Sequence, residues 1–151
     1  MTAGEDARSI EWLLAGQRAL RARFDDFARA LRRNDTTALD VALNDFEQHL
    51  VRWTAAEEEA LLPALVRADI PGRDPRRELS LEFVQIRELT RFLVRQRADR
   101  IRLDDLSGYL ENLNRRLTVH ERELTKVYYP AAVGVLTEDE WKVLESARPE
   151  E

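Results

Sequence analysis

The sequence predicts an all-α protein, an up-down-up-down antiparallel four-helix bundle with a short fifth helix at the C-terminus. In four long segments the apolar residues recur at spacings of three and four, the pattern of helices that bury one face. Most of the five glycines and five prolines lie at the joints and ends of these segments, and no alternating pattern typical of β-strands is present. Short joints between long helices favour antiparallel neighbours.

Helices one and two each follow residues that are good N-caps. Ser9 precedes helix one, and the polar stretch 34–37 offers several caps before helix two. Pro63 predicts a kink or a break late in helix two, because proline lacks an amide hydrogen and crowds the preceding turn. The predicted buried stripes are Ile10, Leu13, Leu14, Leu20, Phe24, Phe27 and Leu31 in helix one, and Leu39, Ala42, Leu43, Phe46, Leu50, Trp53, Leu61 and Leu65 in helix two.

The second half of the chain repeats this plan of two helices and adds a short one. Asp74 followed by Pro75 is an N-cap with a first-turn proline, and it predicts the start of helix three. Helix four is predicted from about Leu103 to Tyr129. Thr137-x-x-Glu140 is a capping box that predicts the terminal helix. The predicted inner faces are Leu79, Phe83, Ile86 and Leu93 in helix three, and Leu106, Leu110, Leu113, Leu117, Leu124 and Tyr128 in helix four.

Length and composition exclude several classes of protein. A chain of 151 residues suits one domain, residues 1–151, with a sizeable core. The 24 Lys and Arg are scattered among 29 Asp and Glu, for a net charge of −5, so nucleic acid is not an expected partner. The absence of cysteine excludes disulfides and thiolate metal sites. No signal peptide and no apolar run of ~18 residues is present, so a cytoplasmic protein without membrane contact is predicted.

Four polar residues lie on or near the predicted apolar faces. Gln17, Glu57 and His120 fall within the stripes of helices one, two and four, and His49 lies toward the edge of the helix-two stripe. A carboxylate in such a stripe is unfavourable unless it is paired, protonated or bound to metal. For all four residues, a hydrogen-bonded core or boundary position is favoured over a metal or ligand role.

One segment in each long helix carries a resemblance to a known family. The segments are LAGQRALR at 14–21, WTAAEEEALLP at 53–63, EFVQIR at 82–87, and the pair His120 and Pro130. In the second and fourth helices a proline follows ten residues after Trp53 and after His120. Together these features resemble the haemerythrin-like, or HHE cation-binding, proteins, over about residues 9–130.

The resemblance implies a di-iron centre whose ligands are mostly replaced in this chain. Family members typically carry a His on helix one, His-x3-Glu on helix two, a His on helix three and His-x3-Asp/Glu on helix four. Imidazole suits iron, and a spacing of four residues places a His and a bridging carboxylate on one helix face. Glu57 and His120 are retained as candidate metal ligands. The remaining ligand positions are occupied by Gln17, Trp53, Phe83 and Leu124.

These replacements predict a core that has no di-iron centre and therefore no expected cofactor. Trp53, Phe83 and Leu124 are residues that would fill a cavity and keep the core dense once metal ions are gone. Glu57 is then expected to pair with His120 or to share a proton with Gln17.

The function that these observations favour is a metal-free scaffold or interaction module. It would act through a protein partner or through formation of a homo-oligomer. Leu81 and Phe92 are predicted on the outer side of helix three, where they could meet another subunit.

The alternative function is a binding protein related to iron or oxygen handling. It would hold one metal ion or small ligand at Glu57 and His120, with help from His49, Tyr109 or Tyr128. An enzyme is not expected, because the sequence offers no nucleophile with an adjacent base and no second group for proton transfer beside Glu57.

Overall fold

The computed structural model describes residues 8–150, and in this range the protein is all-helical, with five helices and no β-strand. Three helices are regular: α1 spans Ile10–Arg32, α3 spans Pro75–Ala98 and α5 spans Glu138–Ala147. The other two contain a π-helical turn. Helix α2 consists of Thr36–Ala56, the π turn Glu57–Leu61 and the final segment Leu62–Ala68. Helix α4 consists of Leu103–Glu123, the π turn Leu124–Tyr128 and the final segment Tyr129–Val133. No helix within 8–150 is long and apolar enough to cross a membrane.

The predicted helix starts are confirmed at four N-caps. The side chains of Ser9, Asp35, Asp74 and Thr137 each accept a hydrogen bond from a backbone N–H in the first turn of the helix that follows. The predicted capping box is also present, because the Glu140 carboxylate accepts a hydrogen bond from the Thr137 N–H at 2.9 Å. Such caps satisfy amide groups that have no partner inside the helix.

Helix α2 continues past Pro63 without a break. Helix α4 was predicted to end at about Tyr129, but it continues across Pro130 to Val133. A π turn precedes each proline, and its last hydrogen bond runs five residues back, from Leu62 N–H to the Glu57 oxygen in α2. The wider turn relieves the crowding between a proline ring and the carbonyl group four residues earlier. A π turn also takes up one extra residue, which rotates the following residues by about 100° around the helix axis.

The helices pack in a closed series of contacts. Helix α1 packs against α2, α2 against α3, α3 against α4, and α4 returns to contact α1. Ion pairs reinforce these contacts, for example between Arg97 of α3 and Asp40 of α2 at 2.6 Å, and between Arg21 of α1 and Glu121 of α4 at 2.8 Å. The last part of α2 also contacts the last part of α4. The apolar stripes of the four long helices therefore share one core.

All three tryptophans of the chain form one cluster, the tryptophan cluster, made of Trp12, Trp53 and Trp141. The Trp12 ring meets the Trp53 ring edge-to-face at 6.4 Å and the Trp141 ring at 6.0 Å. The Arg148 guanidinium lies 4.6 Å from the Trp12 ring centre, in cation–π geometry. The cluster thus joins α5 to α1 and α2.

Candidate functional site

The predicted inward positions of three polar residues are confirmed. Gln17, Glu57 and His120 are 7%, 0% and 3% exposed, respectively. His49 is half-buried, as its position at the edge of a stripe suggested, and its Nδ1 lies 2.8 Å from the backbone oxygen of Asp45 one turn earlier.

Three buried side chains from three helices form a hydrogen-bonded group, the Glu57 network. It consists of Gln17 from α1, Glu57 from α2 and Tyr129 from α4. The Tyr129 hydroxyl donates to Glu57 Oε2 at 2.8 Å, and Gln17 Nε2 donates to the Tyr129 oxygen at 2.7 Å. Gln17 Nε2 also lies 3.5 Å from Glu57 Oε1. Both carboxyl oxygens of Glu57 therefore face a donor inside the core.

Burial controls the protonation of this network. Loss of hydration raises the pKa of Glu57 to about 8, and the hydrogen bond from Tyr129 opposes part of that rise. Burial, followed by the nearby charge of Glu57, raises the pKa of Tyr129 well above its usual value. The Trp53 indole N–H is near enough to lower the Tyr129 pKa, although it reaches no acceptor with regular hydrogen-bond geometry. At neutral pH the favoured form of Glu57 is thus the neutral acid.

His120 belongs to a separate group. Its Nδ1 lies 2.9 Å from Glu82 Oε1, and its ring meets the Phe83 ring edge-to-face at 5.2 Å. Its Nε2 is buried and has no hydrogen-bond partner within residues 8–150. No hydrogen bond joins Glu57 to His120 in that range. The sequence suggested Gln17 and His120 as partners of Glu57, and of these two the structure shows a contact with Gln17.

The residues at the predicted ligand positions do not fit a pair of metal ions. Trp53, Phe83 and Leu124 are fully buried, with 0% exposure, and they occupy core space. Across residues 8–150, no group of three or more His, Cys, Asp or Glu side chains could hold a metal ion. Glu57, whose carboxyl group is the one buried acid among residues 8–150, contacts an amide and a hydroxyl rather than a second acid or an imidazole.

Two residues of these groups, Tyr129 and Glu82, were missed in the sequence. The α-helical spacing of helix four places Tyr128 inward and Tyr129 to the side, but the π turn buries both. The sequence signal that could have indicated the π turn is Pro130, which directly follows Tyr129. Glu82 was recognised as part of the helix-three segment but was not expected to pair with His120, because that contact depends on how α3 and α4 pack.

The other predicted contributors lie apart from the Glu57 network. The Tyr128 hydroxyl donates to Glu78 Oε2 at 3.0 Å. Phe92, predicted on the outer side of helix three, is half-buried, with its ring 4.8 Å from that of Tyr109. Leu81 is 55% exposed, as predicted.

Replacing Tyr129 by phenylalanine is expected to lower the free energy of unfolding by about 1–3 kcal/mol, because two buried polar groups lose a partner. These groups are Glu57 Oε2 and the Gln17 amide. Tyr128→Phe is the matched control, since its acceptor Glu78 is 43% exposed and water can replace the lost hydroxyl. Urea denaturation followed by circular dichroism measures both variants. Equal losses in the two variants would show that the Glu57 network adds no stability of its own.

No family model, no curated protein and no solved structure matches the chain. What the protein does must therefore be inferred from the Glu57 network, the surroundings of His120 and the chemistry of the surface.

Proposed function

We propose that the chain is a haemerythrin-like protein without a di-iron centre, acting as a metal-free interaction scaffold. The observation that carries this proposal is the state of the six ligand positions that the resemblance implies. Trp53, Phe83 and Leu124 fill core space at three of them. At the others, Glu57 is hydrogen-bonded within the Glu57 network and His120 pairs with Glu82, while Gln17 supplies an amide.

The proposed architecture is the up-down-up-down antiparallel four-helix bundle, with α5 attached at one side. Two features support it. The joints between consecutive long helices are short, at residues 33–35, 69–74 and 99–102. Consecutive helices pack against each other along the chain, and α1 also meets α4. A short joint followed by close packing requires the next helix to run back along the previous one.

The register of the resemblance is supported by the two π turns. One begins at Glu57, four residues after Trp53, and the other at Leu124, four residues after His120. In both helices the proline follows the last π residue by two positions. The same local geometry thus recurs at both pairs of proposed ligand positions, which would be unexpected if the two segments had been aligned incorrectly.

We expect protein produced in iron-rich medium to contain far less than one iron per chain and to show no oxo-bridge absorption, because only Glu57 and His120 remain and they lie in separate groups. Elemental analysis and an optical spectrum measure this. The matched comparison restores the missing ligands with Gln17→His, Trp53→His, Phe83→His and Leu124→Asp.

Two irons per wild-type chain would contradict the proposal outright. A restored variant that is helical by circular dichroism and gains iron would support the assignment of the six positions. A helical restored variant that takes up no more iron than the wild type would argue against that assignment.

The alternative is a binding protein for one metal ion or small ligand, and one observation favours it. His120 Nε2 is buried and lacks a partner within the described part of the chain, so it could accept a ligand that enters the core. Calorimetric titration with Zn²⁺ and with Fe²⁺ tests this. Binding of one ion by the wild type, lost in His120→Phe, would favour the alternative over the scaffold.

A further inference from the structure

The outer face of α3 and α4 carries two adjoining grooves, called the α3–α4 face below. Gln85 and Arg116 line both grooves, and their side chains are hydrogen-bonded at 2.7 Å where the grooves meet. Along α3 the two grooves extend from Glu82 to Arg95. At ~1.5 Å per residue that length is about 20 Å, the length of a helix of three to four turns.

Apolar side chains are concentrated on these two helices. Of the seven large apolar side chains exposed within residues 8–150, four belong to α3 or α4: Leu81, Val84, Tyr109 and Val119. Val119 lines the first groove and Phe92 lines the second. Exposed apolar groups gathered beside a groove are typical of interaction sites on soluble proteins.

The same face is basic on an acidic protein. Four exposed arginines, Arg91, Arg95, Arg115 and Arg116, line the grooves and outnumber the two acids there, Glu82, which pairs with His120, and Glu88. Within residues 8–150, Arg91, Arg95 and Arg115 make no ion pair, and Arg116 bonds to the neutral amide of Gln85. Several arginines elsewhere bridge helices by pairing with an acid, as Arg97 of α3 does with Asp40 of α2. The net charge of the whole chain is nevertheless −5.

We propose that the α3–α4 face binds an acidic amphipathic α-helix of a partner protein. Its apolar side would lie along Phe92, Val119 and Leu81, and its carboxylates would meet the unpaired arginines. This inference rests on the proposed function, since it names the surface and the partner class of the scaffold. Helix-in-groove recognition combines an apolar stripe with complementary charge at its edges, and arginine is common in such interfaces.

Two other occupants fit the face less well. A second copy of the chain in a two-fold dimer would place this patch, with four arginines and only two glutamates, against itself, so its charges would be matched less well than by an acidic helix. A nucleic acid would leave the apolar floor unmatched, and the overall negative charge of the protein would repel its phosphates.

The test uses fluorescein-labelled synthetic helices of about 14 residues, each ~21 Å long. A small panel carries leucines at positions i, i+3, i+4 and i+7 with glutamates at the flanks, and a matched panel has lysine in place of every glutamate. Binding is measured by fluorescence anisotropy at low and high salt. We expect saturable binding of acidic helices only, weakened by salt because the charges at the rim are screened.

Protein variants assign the surface. Arg91→Glu with Arg115→Glu is expected to weaken binding of the acidic helix by roughly tenfold or more, which corresponds to about 1.4 kcal/mol. Arg32→Glu with Arg33→Glu makes the same change in net charge on exposed residues at the end of α1, and is expected to leave binding unchanged. Circular dichroism checks that both variants remain helical.

Several outcomes would overturn the inference. They are no binding by any acidic helix, equal binding of the lysine panel, equal weakening in both arginine variants, and tighter binding of a single-stranded oligonucleotide. A wild-type dimer that Leu81→Glu dissociates would assign the face to a second copy instead.

Two irons per chain together with selective peptide binding would refute the proposed metal-free function while leaving this surface assignment intact. A metal-free chain that binds no helix would refute the surface assignment alone.

Discussion

Replacing Trp53 by alanine is expected to lower the free energy of unfolding by about 3–5 kcal/mol. The Trp53 side chain is fully buried and its ring contacts that of Trp12. Truncation removes this apolar surface from the core and leaves a cavity that the surrounding helices can close only in part. Guanidinium denaturation followed by far-ultraviolet circular dichroism measures the loss without depending on tryptophan emission.

Val51→Ala is the matched control for this experiment. Val51 lies two residues earlier in the same helix and is 40% exposed, so its truncation is expected to change stability by about 0.5 kcal/mol or less. A loss of less than ~1 kcal/mol in Trp53→Ala would mean that the core readily relaxes into the space. The view that Trp53 fills a former metal cavity would then lose its main physical support.

Glu57→Gln is expected to remove a pH dependence from the stability of the protein. The pKa of Glu57 is raised from its usual 4.5 to about 8 by burial in the folded chain. Between these two values the folded state holds one more proton than the unfolded state. The free energy of unfolding therefore falls as pH rises through this window, by about 1.4 kcal/mol per pH unit, and this contribution levels off above the folded pKa.

The measurement is the difference in unfolding free energy between the wild type and Glu57→Gln at several pH values, in which the other titrating groups largely cancel. The variant is expected to gain on the wild type steadily from about pH 5 to pH 8. Glu59→Gln, an exposed position two residues later, is the control and should follow the wild type throughout. A difference that stays flat with pH in Glu57→Gln would mean that Glu57 ionises as easily in the folded chain as in the unfolded one.

Features that depend on local chemistry were predictable from the sequence. The N-caps Ser9, Asp35, Asp74 and Thr137 act on amides within the next three residues, so their effect does not depend on tertiary structure. The burial of Glu57 was likewise predictable from helical spacing alone, because the α-helix is regular up to that residue.

The partners of the buried polar residues were not predictable in the same way. Tyr129 reaches Glu57 because a π turn displaces it by one position, and α-helical spacing contains no such shift. The contact of Glu82 with His120 arises where α3 packs against α4, and neither helix alone specifies it. The contact of Phe92 with Tyr109 of α4 likewise did not follow from its predicted position on the outer side of helix three. Contacts between helices depend on their relative rotation, which a stripe of apolar residues specifies only coarsely.

The tryptophan cluster decides what the intrinsic fluorescence of this protein can report. Because Trp12, Trp53 and Trp141 are the only three tryptophans in the chain and lie in edge-to-face contact, they act as one optical probe with excitation shared among close rings. Their emission reports whether α5 is docked on α1 and α2. The α3–α4 face contains no tryptophan, so events there are visible in this signal only when they propagate to the cluster.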